Sequence, residues 1–265
     1  MANPMYRQIA EDLREQIESG QLQPGQQLST ELELRERYRA SRNTVRDAIK
    51  WLMNLDLVET RPGQGIFVVK KIAPHVTPLS GDPGTGEGAI YRWQVSKNGR
   101  KPDSTVPQVE IQRADKGIAA ELQLPEGTQV ISRHEKRYID ETPWSLMTSF
   151  YPRGFVVQGA GKLLLADNIA EGAVQYLNAT LGLRQAGYRD WITVRAPNAV
   201  EAEFFSLPQD GRVAVFENFR TAFDQTGTPM RVTVTVFPTD RNQFVVEIGD
   251  VPEPQVRAAA DDHKS

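Results

Sequence analysis

Arg42, Asn43, Thr44 and Arg46 are the side chains whose types and spacing most clearly imply chemistry in this 265-residue chain. A guanidinium can grip a phosphate or fork onto a guanine edge. These four occupy the face left over when Val45, Ala48, Ile49 and Leu52 recur at helical spacing and point one stripe inward. Ser41 precedes them as an N-cap, its oxygen available to an otherwise orphan amide of the first turn. A helix with a buried rear and a donor-rich N-terminal front is what a major-groove reader requires. Local charge agrees. Arg35, Arg37, Arg39, Arg42, Arg46 and Lys50 face only Glu36 and Asp47, so this span is strongly positive within a chain of net charge −3.

Such a helix must be held by others. Tyr6, Ile9, Ala10, Leu13 and Ile17 form a stripe of helical period that Gly20 and Pro24-Gly25 terminate. Ser29 or Thr30 then caps a second helix, with Glu31 and Glu33 in its first turn and Leu34 and Tyr38 facing inward. The third helix is expected over about 42–55. Two strands follow, 57–60 and 66–69, joined by Arg61-Pro62-Gly63-Gln64-Gly65, where glycines permit positive φ and close backbone approach. Three helices and a hairpin describe a winged helix-turn-helix over 1–71.

The length suits two domains. Residues 72–88, rich in proline and glycine, are expected to be a linker. Strand patterns dominate from Ala89 to about 250, interrupted by helical pieces near 115–122, 161–181 and 198–206. This half repeats itself. Leu124-Pro125, Val130 and Arg137 recur at one offset as Leu207-Pro208, Val213 and Arg220, and each half ends its returning strand in Phe-Tyr-Pro or Val-Phe-Pro. A duplicated unit of this kind would join its strands into one antiparallel sheet, making the chain α+β. The tail over 251–265 reads as disordered.

The absence of cysteine excludes disulfides and thiolate chemistry. His75, His134 and His263 lack ligand spacing, so no metal site is expected, and no cofactor. The glycines of 81–88 lack the flanking strand and Lys-Ser ending of a phosphate loop. No local motif suggests a Ser-His-Asp chain, and no catalytic residue is assigned. No apolar run approaches the ~20 residues that span a bilayer. The expected location is the cytoplasm, at the bacterial nucleoid.

Residues 4–68 resemble the DNA-binding domain of the GntR family of bacterial transcription regulators along their full length. The downstream half is similar to the UTRA effector-binding domain of the HutC branch, itself chorismate-lyase-like, through Gly99 to Pro102, Arg133 to Arg137, Pro143 to Pro152, Glu201-Ala202, Gly227 to Pro229 and Pro238 to Phe244. The resemblance implies that Arg42, Asn43, Thr44 and Arg46 meet the major groove and Gly63, Gln64 and Gly65 the minor groove. Arg35, Ser41, Lys50 and Arg61 complete the expected DNA contacts. Leu32 stands where members often carry a base-reaching arginine, and Arg35 is the candidate substitute. Asp56 and Arg39 stand at glycine-like positions.

The resemblance also implies a small-molecule effector held by the sheet. Its expected contacts are Arg133, Glu135, Arg137, Thr148, Ser149, Tyr151, Glu201, Phe219, Arg220 and Arg231. Converging arginines suit an anion; Glu135, Glu201 and His134 equally suit hydroxyls or amines. The implied protein is a homodimeric repressor on a near-palindromic duplex operator, released by its effector. The competing reading is a chorismate-lyase-like enzyme, with Arg133, Glu201 and Arg220 acting on an aromatic carboxylate.

Overall fold

The computed structural model describes residues 4–61, 63–69, 74–79, 81–208 and 211–251. Pro62 of the expected turn, and all but the first residue of the expected tail, lie outside them. The chain divides into two compact units, Met1–Ala73 and Pro74–Ser265.

The first unit runs α1 (Met5–Glu18), α2 (Glu31–Tyr38), α3 (Arg42–Asn54), β1 (Val58–Arg61) and β2 (Gly65–Val68). Thr30, rather than Ser29, caps α2: its hydroxyl accepts from the Glu33 amide while the Glu33 carboxylate accepts from the Thr30 amide. Ser41 caps α3 by accepting from the Thr44 amide at 3.1 Å. Between them Arg39 takes φ 50°, and Asp56 takes φ 52° after α3. Both are left-handed turns filled without glycine. One core joins Ile9, Ala10 and Leu13 of α1 to Leu34 and to Val45, Ala48, Ile49 and Leu52 of α3, closed by Val58 and Val68. Burying such side chains stabilises the unit by about 1.5–3 kcal/mol each for the larger ones. The antiparallel wing β1–β2 is tied back by Gln27, whose amide donates to the Gln64 carbonyl at 2.7 Å. Gly65 suits this position because φ +120° strains any residue with a Cβ, which would also have to displace the Gln27 amide 2.5 Å away.

The second unit opens with β3 (His75–Pro78), a 3-10 turn (Pro83–Thr85) and α4 (Glu87–Lys97). The expected linker is thus corrected over its described residues. β3 pairs in parallel with β11 (Asn242–Val245), and Tyr188 donates a hydrogen bond to the Leu79 carbonyl. Backbone pairing and a few buried side chains such as His75 order a segment whose composition predicted none. There follow β4 (Pro102–Ser104), β5 (Gln108–Arg113), α5 (Lys116–Glu121), β6 (Gln129–Ile139), β7 (Thr142–Pro152) and α6 (Gly154–Val157). A 3-10 turn (Gly161–Leu164) leads to α7 (Ala173–Leu181), β8 (Gln185–Arg195), α8 (Ala199–Phe205), β9 (Val215–Asp224) and β10 (Pro229–Pro238).

One seven-stranded antiparallel sheet orders these strands β4/β5–β6–β7–β10–β9–β8. Each repeat supplies a helix and a hairpin, α5–β6–β7 and α8–β9–β10, and the hairpins meet through β7 and β10. Period-two geometry sends Val130, Phe150, Val232 and Phe219 to one face, under α5. Leu146, Val215 and Val236 continue that face under Phe205 of α8. The opposite face is apolar at one end, where Ile131, Tyr151 and Ala222 meet Leu163 and Leu177. At its other end it is polar, and there β3, β11 and α4 cover it.

Candidate nucleic-acid interface and ligand cavity

In the first unit, α3 buries its apolar stripe and leaves the Arg42 and Arg46 side chains 62% and 51% exposed. Glu31 holds both. Its carboxylate accepts from Arg46 Nε at 3.0 Å and Arg42 Nε at 3.2 Å. The Arg46 hydrogen bond, assisted by that of Arg42, outweighs desolvation and lowers the Glu31 pKa. Both bonds use Nε, which leaves the terminal nitrogens, those that fork onto guanine or phosphate, without a hydrogen bond among the described residues. Thr44 shares its hydroxyl with Ser41 at 2.8 Å, while Asn43 is exposed.

A groove runs beside α3, lined by Gln27, Thr30, Glu31, Arg46, Lys50 and Arg61 with Gly63 and Gly65 of the wing. The structure therefore gathers Arg46, Lys50, Arg61, Gly63 and Gly65, with Arg42 joined through Glu31. Arg61 is already engaged, 2.9 Å from Glu59 and stacked 4.2 Å over the Phe67 ring. Arg35 and Leu32 are exposed on α2 and lie outside the groove lining; so do Ser41, Asn43, the half-buried Thr44 and Gln64. Glu31 and Gln27 were missed by sequence reasoning, which took Glu31 only as a first-turn acid.

In the second unit a cavity of about 70 Å³ lies between the polar sheet face and the cover of β3, α4 and β11. Of the expected effector contacts, Arg137 and Arg220 line it. Arg220 forks onto Asp190 with both bonds at 2.6 Å and lies 3.8 Å over the Tyr188 ring. Arg231 donates to Glu87 at 2.8 Å and to Gln185 at 3.0 Å. Burial raises the Glu87 pKa, but the charges of Arg231 and Arg220 prevail and hold it at about 2. Arg137, 5% exposed, stacks on Tyr91 and has Glu135 at 3.7 Å.

The other expected contacts do not line this cavity. Arg133 donates instead to the carbonyls of Lys162, Leu163, Leu165 and Asp167 at 2.7–3.4 Å, pinning that loop. Ser149 bonds Thr233 at 3.1 Å, and Tyr151 belongs to the apolar cluster. Thr148 and Phe219 sit on the opposite face, Thr148 against His134 at 2.9 Å. Glu201 completes the N-terminal cap of α8 and pairs with Arg195 at 2.7 Å.

His75, Glu87, Tyr91, Gln94, Trp144, Tyr188, Asn218, Phe237 and Phe244 line the cavity and were not anticipated. Only Asn218 had a usable signal, being two residues from Arg220 on the same strand face. His75 and Glu87 were read as linker residues. Burial, then the charge of Arg100, depresses the His75 pKa to about 4, so its ring is neutral at neutral pH.

Residues 5–68 match the family model for bacterial regulatory proteins of the gntR family, and residues 97–243 match the UTRA domain model. The chain is 24% identical over 243 residues to the HTH-type transcriptional repressor NagR of Bacillus subtilis, covering 91% of this chain and 93% of that protein. It is 25% identical to the HTH-type transcriptional regulator GgaR of Escherichia coli K12, covering 92% and 91% respectively. The crystal structure of PhnF from Mycobacterium smegmatis shares the fold, with a TM-score of 0.54 at 21% identity, over 91% of this chain and 99% of that one. With an exposed arginine pair on a capped helix and a UTRA match over more than half its length, the chain belongs to the GntR-family DNA-binding transcriptional regulators that carry a UTRA domain.

Proposed function

We propose that this regulator is a homodimeric repressor that a small molecule, bound in the cavity beneath β3, releases from its operator. The observation that carries the reading is the pairing of outward-facing Arg42 and Arg46 forks in one unit with a lined, partly unsatisfied cavity in the other. Ligand binding would shift the dimer population away from arrangements whose recognition helices match the half-site spacing. The protein would work in the cytoplasm on a near-palindromic site. The lyase alternative loses its support, because Arg133, Glu201 and Arg220 occupy three separate settings.

Linkage gives the test. Operator and effector must weaken each other reciprocally, by about 1–3 kcal/mol. Operator titrations by gel shift, with and without ligand, should show the same factor as ligand titrations with and without operator. A ligand that fills the cavity without changing operator affinity removes the mechanism.

The edge strand β8 supports the dimer. Among the described residues it pairs on one side only, spans 11 residues without lysine or proline, and leaves Trp191 58% and Val194 62% exposed. A long edge with exposed apolar side chains among its charges invites pairing with another strand, and a second copy of β8 is the occupant we assign. Trp191→Arg with Val194→Lys should convert a dimer to monomer in light scattering and sharply weaken operator binding. A double variant that stays dimeric places the interface elsewhere.

A further inference from the structure

Several residues that line the cavity carry a buried polar atom that makes no hydrogen bond among the described residues: Glu87 Oε2, Gln94 Oε1, Trp144 Nε1 and Asn218 Oδ1. Glu87 Oε2 lies 2.6 Å from an Arg231 nitrogen but outside hydrogen-bond geometry. Such atoms are costly unless something completes them. The Trp144 indole can only donate and the Glu87 carboxylate can only accept, whereas the two amides can turn to present either group. The missing occupant must therefore carry both donors and acceptors.

The charges around the cavity are already matched. Arg220 is taken by Asp190, Arg231 by Glu87 and Arg137 by Glu135, and Arg100, stacked on Trp144, is taken by Asp140. An anion at Arg137 would compete with the half-buried Glu135, 3.7 Å away, for the same guanidinium. The Arg137 guanidinium makes no hydrogen bond among the described residues, so its donors can meet a hydroxyl or carbonyl oxygen while the ion pair stays intact. Tyr91, Trp144, Tyr188, Phe237 and Phe244 supply ring faces against which the C–H face of a sugar ring packs.

We propose, resting on the effector-cavity reading above, that this site takes a ligand without net charge, of the polyhydroxylated-ring class, and discriminates against its phosphorylated form. About 70 Å³ holds roughly two waters, so the ligand must open a wall. The two-stranded β3–β11 cover is the wall with least sheet pairing, and β3 is where the chain enters this unit.

Trp144 provides a local reporter. The chain has four tryptophans, and Trp144→Phe assigns the indole signal of this one in a 15N spectrum of the full-length protein. D-glucose, myo-inositol, their monophosphates and inorganic phosphate are titrated in turn at constant ionic strength. An uncharged ring should move the Trp144 signal saturably, its phosphorylated partner should bind at least about tenfold more weakly, and inorganic phosphate should leave the signal in place. Glu87→Gln should make the cavity respond to inorganic phosphate; if that variant does not fold, Glu135→Gln removes a charge at the same cavity. The proposal is overturned if a phosphorylated member binds wild type more tightly than its uncharged partner, if no uncharged ring moves the signal, or if neither charge variant gains a phosphate response. A ligand that moves Trp144 without changing operator affinity leaves the ligand class standing and sinks only the release mechanism.

Discussion

Arg42→Ala should cost about 1–3 kcal/mol of specific operator affinity per half-site and leave binding to unrelated duplex nearly unchanged. The side chain sits at the first position of α3, 62% exposed, with its outer nitrogens free to fork and its Nε fixed by Glu31. A fork held in advance loses less rotamer freedom on docking, which is why the loss should fall on the specific complex. Glu31→Gln refines the expectation. Removing a carboxylate that faces the duplex should raise non-specific affinity, while the loosened Arg42 and Arg46 lower the ratio of specific to non-specific binding. Lys50→Ala should instead weaken both kinds of binding and shallow the salt dependence by about one counterion. Arg61→Ala should do less, because Glu59 and the Phe67 ring already occupy that guanidinium. Anisotropy titrations over a salt series, on an operator enriched from random duplex, separate these outcomes. If Arg42→Ala leaves the specific complex intact, α3 is not the reading helix.

The helix α3 was legible because its information is local. The period of Val45, Ala48, Ile49 and Leu52, the Ser41 cap and the glycines of the wing each act over a few residues, and each acts as expected in the structure. The repeated hairpins were legible for the same reason. The ligand cavity was not, because its walls come from segments far apart in the chain: β3 and α4 at one end, Trp144 in the middle, Asn218 and Phe244 near the other. Composition makes 72–88 resemble a linker, yet pairing with β11, roughly 167 positions downstream, orders its described strand. Period-two reasoning correctly put Arg133, Glu135 and Arg137 on one face. It could not tell that 161–167 folds over the first of them while a cavity opens at the last.

That distinction makes Arg133→Ala a folding variant rather than an induction variant. Arg133 is 4% exposed and its guanidinium reaches four backbone carbonyls, so it performs for the 161–167 loop the work a strand ladder would do. Truncation orphans those carbonyls, at about 1–3 kcal/mol for each that water cannot reach. It also undercuts Leu163, which seals the apolar cluster against Ile131, Tyr151 and Leu177. Urea denaturation should show the second unit destabilised by about 2–4 kcal/mol, from orphaned carbonyls and lost packing over Leu163. Arg133→Lys should recover little, because an ammonium cannot span the fan of carbonyls that a planar fork does. The first unit has its own core, so its unfolding transition should stay where it is. A variant of unchanged stability that had lost only its response to ligand would mean that Arg133 faces the effector after all.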